Sequence, residues 1–558
     1  MSSLRPRPWW TPLGSASLRA SLAGGGVLLA AAALFLARLG ATDLWAPDEP
    51  RYAQVAEELR SFQHGARGLW LLHLNGAPYT QKPPLYFWLA ALAGVPSGRV
   101  GEAAARLPSA LAGIACVALV IRFGTRLRGP AVGVAAGGLL ATTTLFTHLA
   151  RRAQLDVLLC ALELVALAAF WRIDRGGPRR ARDLAVLHAA LGLAVLTKGP
   201  VGLLLPALAI VAFLAWERRL ATLPRCLPPW ATLLSVAPGL IWITGAVALA
   251  PPGFADQAIL DNLWGRFVHG TSHAGPLWYY LYRLPLDFLP WTLLAPAVVA
   301  AGRRVLGAEG PAERARVWRF LLAWLGTAFV FFSLSGGKRG LYLLPAFPAA
   351  ALLCADAVVS ALLAGARPPR WASRLLAVSA ALVLLGGLAA AWLAPGYGVD
   401  VPIRFAVLWL ALGGAAALAF RAAGPSWLRR AGVVGASVAL LELLVVGSFF
   451  PALDVQKSPR GIATAAAALT RPGESIGVTR GTLVGALAYY GRRRVTELET
   501  PEALARFLAS GGRVIVTEAR NLDRLEAVVP VEIRFRARQG RRALVVVTPA
   551  TAATPSPP

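Results

Sequence analysis

The stretch DLWAPDEPRYAQVAEELRSFQHGARGLWLLHLNGAPYTQKPPLYFW, residues 43–88, places Asp48, Glu49, Arg51 and Lys82 directly after the first apolar run of the chain. A loop beside a bilayer does not need a carboxylate pair, a Lys-Pro-Pro and a run of aromatic residues merely to stay soluble. A site working on a lipid-linked phosphate needs all three.

On either side of this loop the chain is too apolar for a soluble protein. Of its 558 residues 56% are hydrophobic, and the mean hydropathy is +0.58. Runs long enough to cross a bilayer recur near 22–40, 104–121, 130–147, 154–171, 184–196, 200–216, 229–250, 285–301, 317–333, 341–361, 375–393, 403–420 and 431–450. They predict a polytopic α-helical membrane protein of about thirteen transmembrane helices. The first run lacks a small-residue cleavage site and reads as a retained helix.

A formal charge of +28 raises nucleic acid as a partner, but the placement of the cations argues against it. Arginines crowd every second loop: Arg122, Arg126 and Arg128, then Arg172, Arg175, Arg179, Arg180 and Arg182, then Arg218, Arg219 and Arg225. Arg303, Arg314, Arg367, Arg421 and their neighbours continue the alternation. This is the positive-inside pattern of cytoplasmic loops. It predicts a cytoplasmic amino terminus, an exterior carboxyl terminus and two long exterior loops at 43–103 and 251–284. Cys116, Cys160, Cys226 and Cys354 fall in spans or on the cytoplasmic side, so neither a disulfide nor a zinc site is expected.

Membrane periodicity stops after Phe450, which predicts a transmembrane unit at 1–456. Beyond it ESIGVT, RRRVTEL, RVIVTEA and ALVVVTP read as strands, with LVGALAYYG and PEALARFLAS as helices between them. A small exterior α/β domain is expected at 457–548, followed by a low-complexity disordered tail at 549–558.

Within the first loop, Tyr52, Val55, Ala56 and Leu59 fall at helical spacing, predicting an amphipathic helix on the membrane plane. Asp48 suits the N-cap of that helix, and equally a general base taking a proton from an attacking hydroxyl. Glu49 and Arg51 read as structural partners of each other or of their neighbours. Lys82 precedes Pro83-Pro84, where a helix start would make an anion site; a snorkelling lysine fits the same residues, and the sequence leaves both open.

Further candidates follow at the ends of later spans. Arg151, Arg152 and Asp156 in LARRAQLDVLLC predict an ion pair across one helical turn. Lys198 sits in the tight turn TKGPVG; Arg266, His269 and His273 lie around FVHGTSHAGPLWYY; Lys338, Arg339 and Tyr342 lie in SGGKRGLYLLP. The charge-derived topology puts all of them on one side of the membrane. Ionisable groups converging at span ends mark a site. A transporter or flippase is the competing class. It predicts repeated halves and polar groups near the midplane, of which only Asp356 and Glu442 are candidates.

The segments DEPRYA, HLNGAPYTQKPPLYFWL, the Arg-to-Asp run at 151–156, LTKGPVGLLLP, PLWYYL with LPW, and FFSLSGGKRGLYLLP resemble a known group. They are similar to the bacterial ArnT-like and protein-mannosyltransferase-like glycosyltransferases of the GT-C membrane superfamily. The resemblance implies an inverting transferase of the bacterial inner membrane that takes a sugar from a polyprenyl phosphate and passes it to an extracytoplasmic acceptor, working as a monomer among membrane lipids. It implies that Asp48 acts on the acceptor, that Lys82, Arg266 and Tyr342 hold the donor phosphate, and that Asp156 is a second acid in the cavity. Glu49, Arg51, Tyr52, Arg151, Lys198, His273 and Lys338 are supporting candidates. Gln81 and Asn262 stand where the group carries its metal ligands, so no cofactor is expected.

Overall fold

The computed structural model describes residues 15–257, 274–307, 310–363, 370–422, 427–479, 481–540 and 542–550. Arg266, Asn262, His269 and His273 lie outside the described residues.

Each expected span overlaps a helix or a bent pair of helices. The first is α1 (Ser15–Leu36), followed in the loop by α2 (Asp48–Arg60) and α3 (Leu85–Ala93). Then come α4 (Glu102–Arg128), α5 (Pro130–Ala141), α6 (Thr144–Ala150), α7 (Leu155–Asp174), α8 (Arg180–Lys198), α9 (Val201–Trp216) and α10 (Pro229–Leu249). Among the described residues six helices are long and apolar enough to cross a membrane, or up to eight when two bent pairs each count once. Length and composition alone thus count fewer spans among the described residues than the thirteen expected from the sequence. Two of the uncounted helices, α7 and α8, are long enough but carry Asp156, Glu163 and Arg172, and Arg180, Arg182, Asp183 and Lys198; three more, Ser21–Leu36, Val201–Trp216 and Leu384–Gly396, are apolar but shorter. One bent pair is α5 with α6, at 69°; the other joins Tyr279–Asp287 to Trp291–Leu306 at 103°, across Pro290.

Close helix contacts rest on small residues. A Cβ at Gly133 would lie 2.3 Å from the Ile121 carbonyl oxygen and 2.6 Å from the Thr125 nitrogen. Only glycine lets α5 approach the α4 backbone this closely.

The membrane helices run into a carboxyl-terminal unit with a five-stranded sheet, ordered β4-β3-β5-β7-β6. Its strands are β3 (Ile476–Val478), β4 (Val495–Glu497), β5 (Ile515–Glu518), β6 (Val531–Gln539) and β7 (Arg542–Pro549). β3 pairs in parallel with β4 and β5, while β7 runs antiparallel to β5 and β6. Four of these strands coincide with those read from the sequence. β6 was not expected: VEIRFRARQ lies mostly exposed at the sheet edge, so it shows no buried apolar run.

The first long loop is folded against this unit. β1 (His73–Leu74) and β2 (Ala77–Pro78) form a hairpin around Asn75-Gly76, both at positive φ (57° and 80°). The Asn75 amide donates to the Val495 carbonyl at 2.6 Å and accepts from the Val495 N–H at 2.9 Å. Because β4 is an edge strand, this side chain satisfies backbone groups that would otherwise lie open. On the loop side the Asn75 and Gly76 N–H groups donate to the Glu58 carboxylate at 2.6 and 3.1 Å.

Candidate active site

Helix α2 starts the site. Tyr52, Val55, Ala56 and Leu59 all face inward as the spacing predicts. Their cover is protein rather than lipid, which corrects the expectation of a helix on the membrane plane. Tyr52 packs edge-on to Phe87 (5.5 Å between ring centroids), and the cluster extends to Tyr79, Tyr86, Leu155 and Tyr489. Tyr52 and Tyr86 are thus packing residues. Lys82 lies half-buried in the bend just before α3, three residues after Tyr79.

Asp48 is the first residue of α2, and Pro47 occupies the N-cap. The capping role expected of Asp48 is not taken up, because stronger donors draw its carboxylate away. Arg51 reaches Oδ1 at 2.5 Å, Arg339 reaches Oδ2 at 3.0 Å, and the Gln154 amide lies 3.4 Å from Oδ2. Burial pushes the carboxyl up, but the Arg51 and Arg339 guanidiniums outweigh it and hold Asp48 below the usual range.

Glu49 has a different fate one residue on. It is fully buried, with Arg106 at 2.9 Å, Arg152 at 3.1 Å, and the backbone N–H groups of Trp45 and Ala153 at 2.9 and 2.8 Å. Burial raises its proton affinity, yet Arg152 and Arg106 prevail and bring it to about 2. Every acceptor position is used, so Glu49 is a structural hub joining α2, α4 and the 151–154 segment. Glu49 and Arg51 pair with neighbours, not with each other.

The ion pair expected between Arg151 or Arg152 and Asp156 does not form. Residues 151–154 are not helical, so the one-turn spacing that would bring them together is absent. Arg151 instead donates to the carbonyls of Leu34 and, at 2.6 Å, Ala37, capping the end of α1. Arg152 lies over the Trp45 ring at 4.6 Å. Asp156, in the first turn of α7, pairs with Lys198 at 2.5 Å. Lys198 ends α8, where Gly199 (φ 79°) and Pro200 make the tight turn into α9. Its ammonium sits 4.7 Å from the centre of the Tyr342 ring.

SGGKRGLYLLP divides its labour. Lys338 is buried and donates to the carbonyls of Phe332 (2.9 Å), Ser333 (2.6 Å) and Ser335, closing the carboxyl end of helix Ala312–Leu334. Its ammonium thus serves as a cap for the last carbonyls of that helix. Arg339 turns to Asp48, and Tyr342 to Lys198. Asp156 and Asp48 both stabilise the charge on Arg339, so the two ion pairs share one electrostatic site.

The structure therefore brings together Asp48, Arg51, Gln154, Asp156, Lys198, Arg339 and Tyr342 at one end of the bundle. Gln154 was not nominated from the sequence, and Arg339 was noted in SGGKRGLYLLP without a role of its own. The available signal for Gln154 was adjacency, since it stands two residues before Asp156.

Residues 81–242 match a sequence family described as dolichyl-phosphate-mannose-protein mannosyltransferase. The chain is 30% identical over 320 residues to the undecaprenyl phosphate-alpha-4-amino-4-deoxy-L-arabinose arabinosyl transferase of Edwardsiella ictaluri, covering 56% of this chain and 55% of that one. To the protein of that name in Pseudomonas savastanoi pv. phaseolicola it is 32% identical over 373 residues, covering 65% and 66%. The chain spans 55–58% of the length of the first three relatives it matches. Among solved structures, ArnT from Cupriavidus metallidurans bound to undecaprenyl phosphate superposes with a TM-score of 0.73 at 22% identity, covering 98% of this chain and 100% of that one. The likeness read from the motifs thus holds in both sequence and fold, and the fold is that of an integral membrane protein.

Proposed function

We propose that this chain is an inverting glycosyltransferase of the bacterial inner membrane. It takes a sugar from a polyprenyl-phosphate carrier and passes it to an acceptor on the periplasmic side: a lipid A-like glycolipid, an envelope glycan or a protein. The amino terminus is cytoplasmic, the sheet domain is periplasmic, and the enzyme works as a monomer.

One observation carries the reading. Asp48 is held 3.0 Å from Arg339 next to the Asp156–Lys198 pair beneath Tyr342, so carboxylates and cations meet where a charged lipid head would lie. The names of the relatives support a polyprenyl-phosphate donor.

The reaction makes one bond and breaks one. The acceptor attacks the anomeric carbon from the face opposite the phosphate, and the polyprenyl phosphate leaves with the electron pair of the broken bond. Cations on that phosphate stabilise charge that grows toward the transition state. Lys82 and Arg266 take this part, with Arg339 and Lys198 added, and the Tyr342 hydroxyl donates a hydrogen bond to the same phosphate. Asp48, held low by two guanidiniums, is a weak base while Arg339 stays on it. When Arg339 turns to the incoming phosphate, Asp48 loses a counter-charge and its proton affinity rises toward that of a working base. A phosphate acceptor needs no such help. No metal takes part in this scheme, since Gln81 stands where the similar enzymes carry a ligand.

The test is mass spectrometry of envelope lipids, glycans and proteins from cells with the protein, without it, and with Asp48→Asn. One class should lose one sugar in both defective strains. If no class changes, the reading fails.

A further inference from the structure

At the end of the bundle opposite the candidate site, α4, α7 and α8 splay to leave a cleft of about 640 Å³. Sixteen residues of α7 separate Asp156 from Arg172 at its rim, which is about 24 Å along the helix. The cleft thus lies across the membrane from the proposed chemistry and has no part in it.

Its walls are of two kinds. Phe123 and Trp171 line the inner part with Leu119 and Val165, while Arg122, Arg126, Arg179 and Arg182 ring the mouth. The two acids of the cleft are already taken: Asp183 by Arg172 at 2.7 Å and Glu313 by Arg175 at 2.9 Å. The four mouth arginines are exposed and have no carboxylate in ion-pair contact among the described residues. The positive-inside rule asks only for cations in such loops. It does not ask that cations from α4, from α8 and from the turn between α7 and α8 converge over an apolar furrow.

We infer that this cleft binds one anionic phospholipid, with the headgroup phosphate among Arg122, Arg126, Arg179 and Arg182 and an acyl chain along Phe123 and Trp171. Charge complementarity selects the head, and the apolar wall selects a lipid over a soluble anion. The bound lipid bridges α4, α7 and α8 and braces the bundle from the face away from the reaction.

The experiment uses the full chain, stripped of lipid in dodecyl maltoside and observed by native mass spectrometry. Dioleoyl phosphatidylglycerol is titrated against dioleoyl phosphatidylcholine, which has the same tails. We expect one phosphatidylglycerol to bind at least about tenfold more tightly than phosphatidylcholine. The combined variant Arg122→Gln, Arg126→Gln, Arg179→Gln, Arg182→Gln should lose that preference while keeping its melting temperature in detergent. Val165→Trp, which fills the furrow and leaves every arginine in place, should weaken binding as well. Equal affinity for the two lipids, or a preference that survives the fourfold change, overturns the inference. So does unchanged binding in Val165→Trp, which would reduce the cations to a diffuse field. Inorganic phosphate binding as tightly as the lipid would assign the cleft to a free anion instead.

Discussion

Asp48 and Arg339 are 291 residues apart in sequence and 3.0 Å apart in the structure. The first opens α2 and the second follows helix Ala312–Leu334, so this ion pair ties the first loop to a distant part of the bundle. Both side chains retain some exposure, 7% for Asp48 and 33% for Arg339, as a pair open to a ligand requires.

Their coupling is measurable. Asp48→Asn should abolish sugar transfer, and Arg339→Ala should lower turnover about 100-fold or more, as loss of a charge-stabilising group does. Arg339→Lys should recover only part, because a point charge cannot replace the guanidinium fork. The double variant should be no worse than the worse single one. Additive losses in a transfer assay on membranes would show that the two act independently.

Lys82 and Lys198 belong to the donor side of the proposal. Lys82→Ala and Lys198→Ala should each raise the KM for the polyprenyl-phosphate sugar more than that for the acceptor. Steady-state kinetics with each substrate varied in turn decides this, and the reverse order would remove either residue from the phosphate.

Glu49 carries a stability prediction with a definite pH window. Its carboxyl is held at about 2 in the folded chain, against 4.5 when free. A carboxyl depressed by folding contributes stability above its free value and loses it as pH falls toward the folded one. Thermal unfolding in detergent should therefore show stability falling from about pH 4.5 downward, with that limb flattened in Glu49→Gln. Glu49→Ala leaves Arg106 and Arg152 buried without a counter-charge, which costs about 3–5 kcal/mol. Little folded protein should be recovered.

The docking of the sheet domain is the last test. A Cβ at Gly485 would lie 2.5 Å from the Arg51 Cα, a backbone atom that cannot swing aside. Gly485→Val should push α2 and its Asp48 out of register, cutting transfer about tenfold or more while expression holds. Asn75→Ala strips the β4 edge of its partner and should lower the melting temperature, at a cost of about 1–3 kcal/mol.

Much of the fold was legible because its signals are periodic. Apolar runs located the helices, and alternation located β3, β4, β5 and β7. β6 escaped because an edge strand facing water has no buried face to report. The apolar face of α2 was legible too, but not what covers it: Tyr489 arrives from more than four hundred residues away. For the site, residue types near span ends indicated where the charges gather, and Asp48, Asp156, Lys198 and Tyr342 do meet. Sequence could not say which cation serves which carboxylate. In SGGKRGLYLLP two adjacent cations part ways, Lys338 into a helix end and Arg339 toward Asp48, because the backbone turn between them sets their directions. Arg151 and Arg152 are separated in the same manner.

The Asn75–Val495 clasp has a consequence for biosynthesis. The two residues are 420 positions apart, so the first loop gains this contact only after residues near 495 have been made. A chain that stops short of that strand leaves the tip of the hairpin without its edge partner.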